Sequence, residues 1–159
     1  MARKLTHFDP KGRARMVDVG SKAVTQREAI AKGTVTMAPA TLDMVMAGTA
    51  KKGDVLGVAR LAGIMAAKKT AELIPLCHQI ALSSVDIALD CDPERHAVDI
   101  TATVRTADRT GVEMEAITAV CITALTIYDM CKSADRAIRI GEVRLTRKSG
   151  GKSGTYEAG

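Results

Sequence analysis

The chain has 159 residues and a formal net charge of +5, with 47% hydrophobic and 26% charged residues. This composition excludes a wholly disordered chain, and the length is typical of one domain, which we predict over 1–159. Only Phe8, Tyr128 and Tyr156 are aromatic. A stacking platform for single-stranded nucleic acid needs aromatic side chains, so we expect no nucleic-acid partner.

The N-terminal sequence, the lack of a long apolar run and the cysteines favour a cytoplasmic protein. The N-terminal sequence lacks the apolar segment of a signal peptide, and no uncharged apolar run reaches the roughly 18 residues that a membrane helix needs. The four cysteines form no C-x-x-C pair. We therefore expect reduced thiols, no membrane association and no metal site.

The first elements are predicted to be short. Residues 1–22 mix glycine, proline and charge, so we expect them to be partly irregular, with a short strand at 16–19. Residues 23–32 predict a short helix that ends at Gly33. The weak alternation over 34–37 predicts a strand.

Two helices are predicted next. Pro39 suits a first helical turn, and the helix over 40–47 ends at Gly48. A longer helix over 54–73 begins with Asp54 as its N-cap. One stripe of apolar residues supports it: Val55, Val58, Leu61, Ala62, Met65 and Ala66.

The segments 84–90 and 97–105 alternate between apolar and polar residues, with a turn at 91–96 between them. Each segment therefore predicts a half-buried strand. Together they predict an antiparallel hairpin.

The last third predicts one long helix and one strand. The helix covers 112–132 and the strand covers 138–147, where Gly141 marks a bulge. The glycine- and serine-rich segment 148–159 is predicted to be a flexible tail. The order strand, helix, hairpin, helix, strand predicts an α+β fold of the ferredoxin-like βαββαβ type, with an antiparallel sheet packed on helices.

The predicted helix over 112–132 carries no charge from Ala116 to Tyr128. A surface helix should have a polar outer face. Either a large core buries this helix completely, or one face meets the sheet and the other meets a second subunit. A domain of this size has little to cover the second face, so we expect a homo-oligomer.

Asp129 and Lys132 follow at the end of this helix and share a face, because they are three residues apart. Near an apolar interface they could act as acid and base, since burial can lower the pKa of a lysine. The alternative is an ordinary salt bridge at the helix end.

Other candidates lie in loops and at helix starts. Glu113 and Glu115 could act at a site or only stabilise the helix dipole. His78 could act as an acid or base, or be a packed loop residue. Lys52 precedes a helix N-terminus, which is a ready anion site, although loop lysines are common. The segment 148–154 lacks the first glycine of a phosphate loop, but it could still wrap an anion.

The candidate residues lie within or near short sequence motifs that occur in this order along the chain: MVDV, KGDV, AGI-x-AAK, LIPLCH, TGVEMEA, LTIYDMCK, IG-x-VRL and KSGGKSG. Over residues 5–154 the chain resembles the molybdenum cofactor biosynthesis protein C family, the cyclic pyranopterin monophosphate synthases. The resemblance implies a ferredoxin-like fold and a homo-hexamer of three dimers with active sites at the dimer interfaces.

The resemblance also implies a reaction and its residues. The family converts 3′,8-cyclo-7,8-dihydro-GTP to cyclic pyranopterin monophosphate and releases pyrophosphate. The residues that match its catalytic groups are Asp129, Lys132 and Lys52. The residues that match its substrate-binding groups are Leu76, Cys77, His78, Glu113, Met114, Glu115, Lys148 and Lys152.

One departure is visible, because Gln79 stands where the family usually has proline after Leu-Cys-His. Gln79 restores a backbone N–H and leaves the loop less rigid, so the pose of His78 could differ.

No cofactor is required for a rearrangement. Mg²⁺ could assist through the substrate phosphates, without a carboxylate cage of its own. The rival interpretation is an oligomeric binding module that holds a nucleotide or RNA without chemistry.

Overall fold

The computed structural model describes residues 7–158. Its elements are, in chain order, β1 (Thr25–Thr36), α1 (Pro39–Met46), α2 (Val55–Lys68), α3 (Thr70–Leu73), β2 (Ser84–Asp92), β3 (Ala97–Asp108), α4 (Glu113–Cys131), β4 (Arg139–Ser149) and β5 (Tyr156–Glu157). The strands form an antiparallel sheet in the order β2-β3-β1-β4-β5. The predicted α+β, ferredoxin-like fold is confirmed, with β5 added at the β4 edge.

The core lies between one face of the sheet and the helices α2 and α4. Alternate residues of β1 point into it, and Ala29, Ala31 and Val35 are fully buried. The helix α4 lies over β1, β3 and β4, whereas α2 lies over β2 and alongside α4. The two helices approach closely at Gly63, where an added Cβ would lie 2.1 Å from the Oγ1 atom of Thr123.

The helix predicted at 23–32 is wrong. This segment is the first part of β1, which also includes most of the strand predicted at 34–37. Its residues are good helix formers, but they pair with β3 along the whole strand and with β4 on the other side. Position in the middle of the sheet therefore overrides local propensity.

The short strand predicted at 16–19 is also wrong, because residues 16–19 form no strand pairing. The carbonyl of Val17 instead accepts a hydrogen bond from the His78 ring. Residues 1–6 lie outside the described part of the chain, so the predicted irregular segment is seen only from His7.

The other predicted elements are confirmed with shifted ends. Asp54 caps α2 by accepting a hydrogen bond from the backbone N–H of Gly57 at 2.9 Å, but this helix ends at Lys68 and the short α3 follows. The hairpin strands extend to 84–92 and 97–108. The bulge at Gly141 is confirmed by a register shift opposite Gly33.

The predicted flexible tail is partly strand. β4 continues to Ser149, and Tyr156 and Glu157 pair back on it as β5. Arg147 also contacts Glu157, at 3.3 Å. Flexibility of the turn between β4 and β5 stays a prediction, and residue 159 lies outside the described part.

Among the described residues, α4 has the length and hydropathy of a helix that could cross a membrane. However, 56% of its most apolar window is buried inside the fold. Its position against the sheet identifies α4 as a core helix of this fold.

Candidate functional site

The three residues predicted to be catalytic lie together at the C-terminal end of α4. The Nζ atom of Lys52 is 2.8 Å from one carboxylate oxygen of Asp129, and the Nζ atom of Lys132 is 2.6 Å from the other. Lys52 also donates to the backbone carbonyl of Asp129 at 3.0 Å. Asp54, the N-cap of α2, fixes the helix start that follows Lys52. We call these three residues the Lys–Asp–Lys cluster.

The cluster is exposed, and its charges are paired. The two ammonium groups hydrogen-bond the carboxylate and lower the pKa of Asp129 to about 2. Asp129 in turn raises the pKa of Lys132. The sequence left open whether burial lowers the pKa of Lys132 or whether the pair is an ordinary salt bridge at the helix end, and in the single chain the salt bridge forms. About half of the lysine side chain is exposed, so pairing outweighs desolvation.

Away from this cluster, the predicted substrate-binding residues of the Leu-Cys-His loop and of the start of α4 line a cavity of about 530 Å³. We call it the first cavity. Its predicted members are Leu76, Cys77, His78, Glu113, Met114 and Glu115. The segment before β1 closes one side through Val17 and Val19, and Gln79 is exposed outside the lining.

Glu115 is the buried acid of the first cavity, with 4% of its surface exposed. Burial disfavours the carboxylate and raises its pKa to about 7, with a smaller contribution from the charge of Glu113. Burial also raises the pKa of the Cys77 thiol, and the negative charge of Glu115 adds to that effect. Near neutral pH, Glu115 can therefore either donate or accept a proton.

His78 is oriented by the segment that precedes β1. Its Nε2 atom lies 2.7 Å from the carbonyl oxygen of Val17. A carbonyl oxygen only accepts, so Nε2 carries the hydrogen and the Nδ1 atom of the neutral ring is left as an acceptor.

Lys148 and Lys152 line a separate cavity of about 710 Å³, which we call the second cavity. It adjoins the first cavity, and the residues shared by both linings are Lys22, Thr110, Gly111 and Glu113. Sequence reasoning missed three basic residues of the second cavity: Lys22, Arg27 and Arg109. The only signal for Lys22 and Arg27 was the excess of basic over acidic residues in 1–32, and that excess does not include Arg109.

The predicted site residues thus form two groups at opposite ends of one helix. Glu115 and Asp129 are fourteen residues apart on α4, which corresponds to roughly 21 Å at the rise of an α-helix. Each chain therefore presents two separate groups of predicted site residues, which we call its half-sites.

No three or more His, Cys, Asp or Glu residues of 7–158 lie close enough together to hold a metal ion. The two glutamates in the lining of the second cavity are Glu28 and Glu113. Glu28 is paired with Arg105, at 2.7 Å, and with Arg147.

The comparisons with known proteins agree with these observations. The model of the MoaC family matches residues 16–151. The chain is 60% identical over 157 residues to a cyclic pyranopterin monophosphate synthase of Parvibaculum lavamentivorans, covering 99% of this chain and 98% of that protein. It is 60% identical over 154 residues to the synthase of Chloroflexus aggregans, covering 97% and 93%. It is also 60% identical over 153 residues to cyclic pyranopterin monophosphate synthase 3 of Mycobacterium bovis, covering 96% and 85%. The chain belongs to the MoaC family.

Proposed function

We propose that this protein is a cyclic pyranopterin monophosphate synthase. It converts (8S)-3′,8-cyclo-7,8-dihydroguanosine 5′-triphosphate to cyclic pyranopterin monophosphate, with release of pyrophosphate, in the biosynthesis of the molybdenum cofactor. The observation that carries the proposal is a pair of joined cavities, one mostly apolar and one basic, together with a separate Lys–Asp–Lys cluster.

The two joined cavities suit the two parts of this substrate. The first cavity offers the Glu115 carboxyl, the Nδ1 atom of His78 and apolar walls to the guanine-derived ring. The second cavity offers lysine and arginine side chains to the triphosphate. The shared wall at Thr110 and Gly111 keeps ring and phosphates adjacent.

The Lys–Asp–Lys cluster supplies the groups for proton transfer. Ring opening and reclosure move several protons, and the ammonium groups of Lys52 and Lys132 are proton donors placed around one carboxylate. Formation of the cyclic phosphate expels pyrophosphate, and nearby cations stabilise the charge that develops. Glu115, with its pKa near 7, is a further group able to exchange a proton.

The proposal needs no resident cofactor. The reaction is a rearrangement without net oxidation, so no redox group takes part. Mg²⁺ would assist through the phosphates of the substrate, because the carboxylates near the second cavity are few and Glu28 is held by arginines.

We further propose that a second copy of the chain completes each site, in a homo-hexamer of three dimers located in the cytoplasm. A two-fold axis through the middle of α4 would place the Lys–Asp–Lys cluster of one copy against the first cavity of the other. The half-sites of one chain, roughly 21 Å apart, would then become two whole sites.

The surface between the two half-sites supports this arrangement. Along α2 and α4, large apolar side chains are 46–59% exposed: Val58, Leu61, Met65 and Leu125. Exposed apolar patches of this kind mark protein interfaces. A second copy seated there buries this strip and brings the half-sites together.

Two measurements test the function. Wild-type protein incubated with the cyclised dihydro-GTP should release pyrophosphate and give a product that oxidises to a fluorescent pterin. A binding module for nucleotide or RNA would retain the compound unchanged, and that result would contradict the proposed enzyme function.

Subunit mixing tests the shared site. Lys132→Ala and His78→Ala, each inactive alone, are co-expressed with different tags so that mixed dimers form. One of the two sites in each mixed dimer is then intact, and random pairing restores about a quarter of wild-type activity. Lys132→Ala mixed with Asp129→Ala is the control without rescue. If both mixtures stayed inactive although mixed dimers formed, each site would lie within one chain.

A further inference from the structure

Arg27 occupies the floor of the second cavity, between the two turns that form its walls. Its Nε atom donates to the carbonyl of Asp108 at 3.3 Å, and its Nη2 atom donates to the carbonyl of Arg109 at 3.2 Å. One side chain of β1 thus holds the turn that connects β3 to α4, from which Arg109 and Thr110 face the cavity.

The opposite wall is shaped around the same side chain. At Gly151 an added Cβ would lie 1.5 Å from the Nη1 atom of Arg27. At Gly150 it would lie 2.0 Å from the carbonyl oxygen of Gln26 and 3.2 Å from the Cδ atom of Arg27. Both glycines also have positive φ, 92° and 73°, which other residues rarely adopt. The guanidinium of Arg27 therefore lies directly against a glycine turn that leaves room for it.

The charge around this arrangement points to a polyanion. The glycine turn is flanked by Lys148 and Lys152, and the cavity also receives Lys22 and Arg109. These four cations come from three separate segments of the chain, and Arg27 contacts two of those segments. Its Nη1 group has no hydrogen-bond partner among residues 7–158.

We infer that Arg27 is a positioning residue for the bound polyphosphate: it ties the turn at Asp108 and Arg109 to the turn at Gly150 and Gly151, and thereby holds the other cations around the phosphates. The inference rests on the proposed function, which supplies the polyphosphate. The fork geometry is essential, because lysine keeps the charge but cannot hydrogen-bond two carbonyls in one plane.

The experiment measures binding of inorganic pyrophosphate by calorimetry, separately from turnover. Arg27→Lys should weaken pyrophosphate binding roughly tenfold or more and raise KM, with kcat much less affected. Gly151→Ala should do the same with Arg27 intact, because its Cβ displaces the guanidinium. Circular dichroism of each variant checks that the fold is kept.

A double variant separates positioning from independent contacts. If Arg27 acts through the glycine turn, Arg27→Lys combined with Gly151→Ala weakens binding no more than the stronger single change. Additive losses would overturn the inference, and so would wild-type binding by Arg27→Lys.

Two controls match these changes. Gly48→Ala carries the same backbone strain, with φ of 67°, but its Cβ meets nothing within 4 Å. Arg144→Lys changes an arginine that pairs with Glu142 outside the cavity. Both should bind pyrophosphate as wild type does.

The outcome is separable from that of the proposed function. Turnover by a wild-type protein that does not bind pyrophosphate would refute the inference and leave the function standing. Pyrophosphate binding that depends on Arg27, without turnover of the cyclised nucleotide, would refute the function and leave the inference standing.

Discussion

The two ends of α4 differ in the ionisation of the carboxyl group that each presents. At the C-terminal end, Asp129 is exposed between two lysines, and its pKa is lowered to about 2. At the N-terminal end, Glu115 is buried in a cavity wall, and its pKa is raised to about 7. Pairing governs the first carboxyl and desolvation governs the second. One helix therefore presents a carboxyl with a fixed charge and a carboxyl that titrates near neutral pH.

Because of this difference, the carboxyl groups of the two half-sites have different chemical roles. A carboxylate that stays ionised holds two ammonium groups in place over the whole working range of pH. A carboxyl with its pKa near 7 exchanges a proton readily. Bringing the two ends together across a dimer would place the lysines of one copy near Glu115 of the other, and that proximity would lower the pKa of Glu115 again.

The largest expected effect is at the C-terminal end. Asp129→Asn removes the charge that positions Lys52 and Lys132 while keeping the shape of the side chain. We expect turnover to fall by roughly 10²–10⁴-fold, the range for loss of acid–base groups. Pterin formation in a single turnover measures it, with the exposed Asp43→Asn as control. Near wild-type turnover would show that the paired carboxylate is dispensable.

The buried carboxyl should control the pH dependence of stability. Its folded pKa is raised from 4.5 to about 7. Between these values the native state holds a proton that the unfolded state has lost, so stability falls as pH rises through this window. The full penalty, about 3 kcal/mol above pH 7, follows from the size of the shift. Glu115→Gln should remove it.

Urea unfolding at fixed protein concentration, at about pH 5 and about pH 8, measures this effect. The variant should gain most at the higher pH. The exposed Glu72→Gln is the control and should follow wild type. If the gain is absent in the oligomer but present in a dissociated form, cations of a second copy stabilise the Glu115 carboxylate.

The close approach of α2 and α4 fixes the position of α4, and therefore the positions of both of its ends. In Gly63→Ala the new Cβ would lie 2.1 Å from Thr123 Oγ1 and 3.2 Å from the carbonyl oxygen of Ala119. The helices must separate, and we expect a loss of about 1–3 kcal/mol in unfolding free energy. Gly141→Ala, whose Cβ meets nothing within 4 Å, is the control. Adding Thr123→Ala should recover part of the loss.

The smallest effect is expected at the start of α2, beside the Lys–Asp–Lys cluster. Asp54→Ala removes the acceptor for the Gly57 N–H and should cost about 1 kcal/mol. Asp54→Asn keeps an acceptor and should cost less. The pH dependence that Glu115 causes should be the same in both variants and wild type. A change in it would mean that the two ends of the helix layer are coupled.

Local patterns in the sequence were sufficient for α2, α4 and the hairpin of β2 and β3. Each has a clear period of apolar residues, and the cap at Asp54 marks one start. β1 could not be predicted in this way, because its residues favour a helix by themselves. Only pairing on both sides makes Thr25–Thr36 a strand.

Because part of β1 was predicted as a helix, some residues of the second cavity were also missed. Arg27 fell within the predicted helix at 23–32, and Arg109 fell between the predicted hairpin and the predicted helix at 112–132, so nothing linked them. Their contact depends on the pairing of Thr25 with Asp108 at the end of β1 and β3. The Lys–Asp–Lys cluster and the first cavity were reached through the family resemblance and the motifs that carry it. Lys148 and Lys152 of the second cavity were reached in the same way, but Lys22, Arg27 and Arg109 were found only from the three-dimensional structure.

The short strand β5 has a consequence for solubility. It lies along the β4 edge, and the N–H of Ala158 donates to the carbonyl of Thr146 at 2.9 Å. The other edge, β2, carries the exposed carboxylates of Asp86 and Asp90. An uncovered strand edge recruits further strands and promotes aggregation. A chain cut after the glycine turn would leave the β4 edge open to such recruitment, while the acidic β2 edge would remain protected.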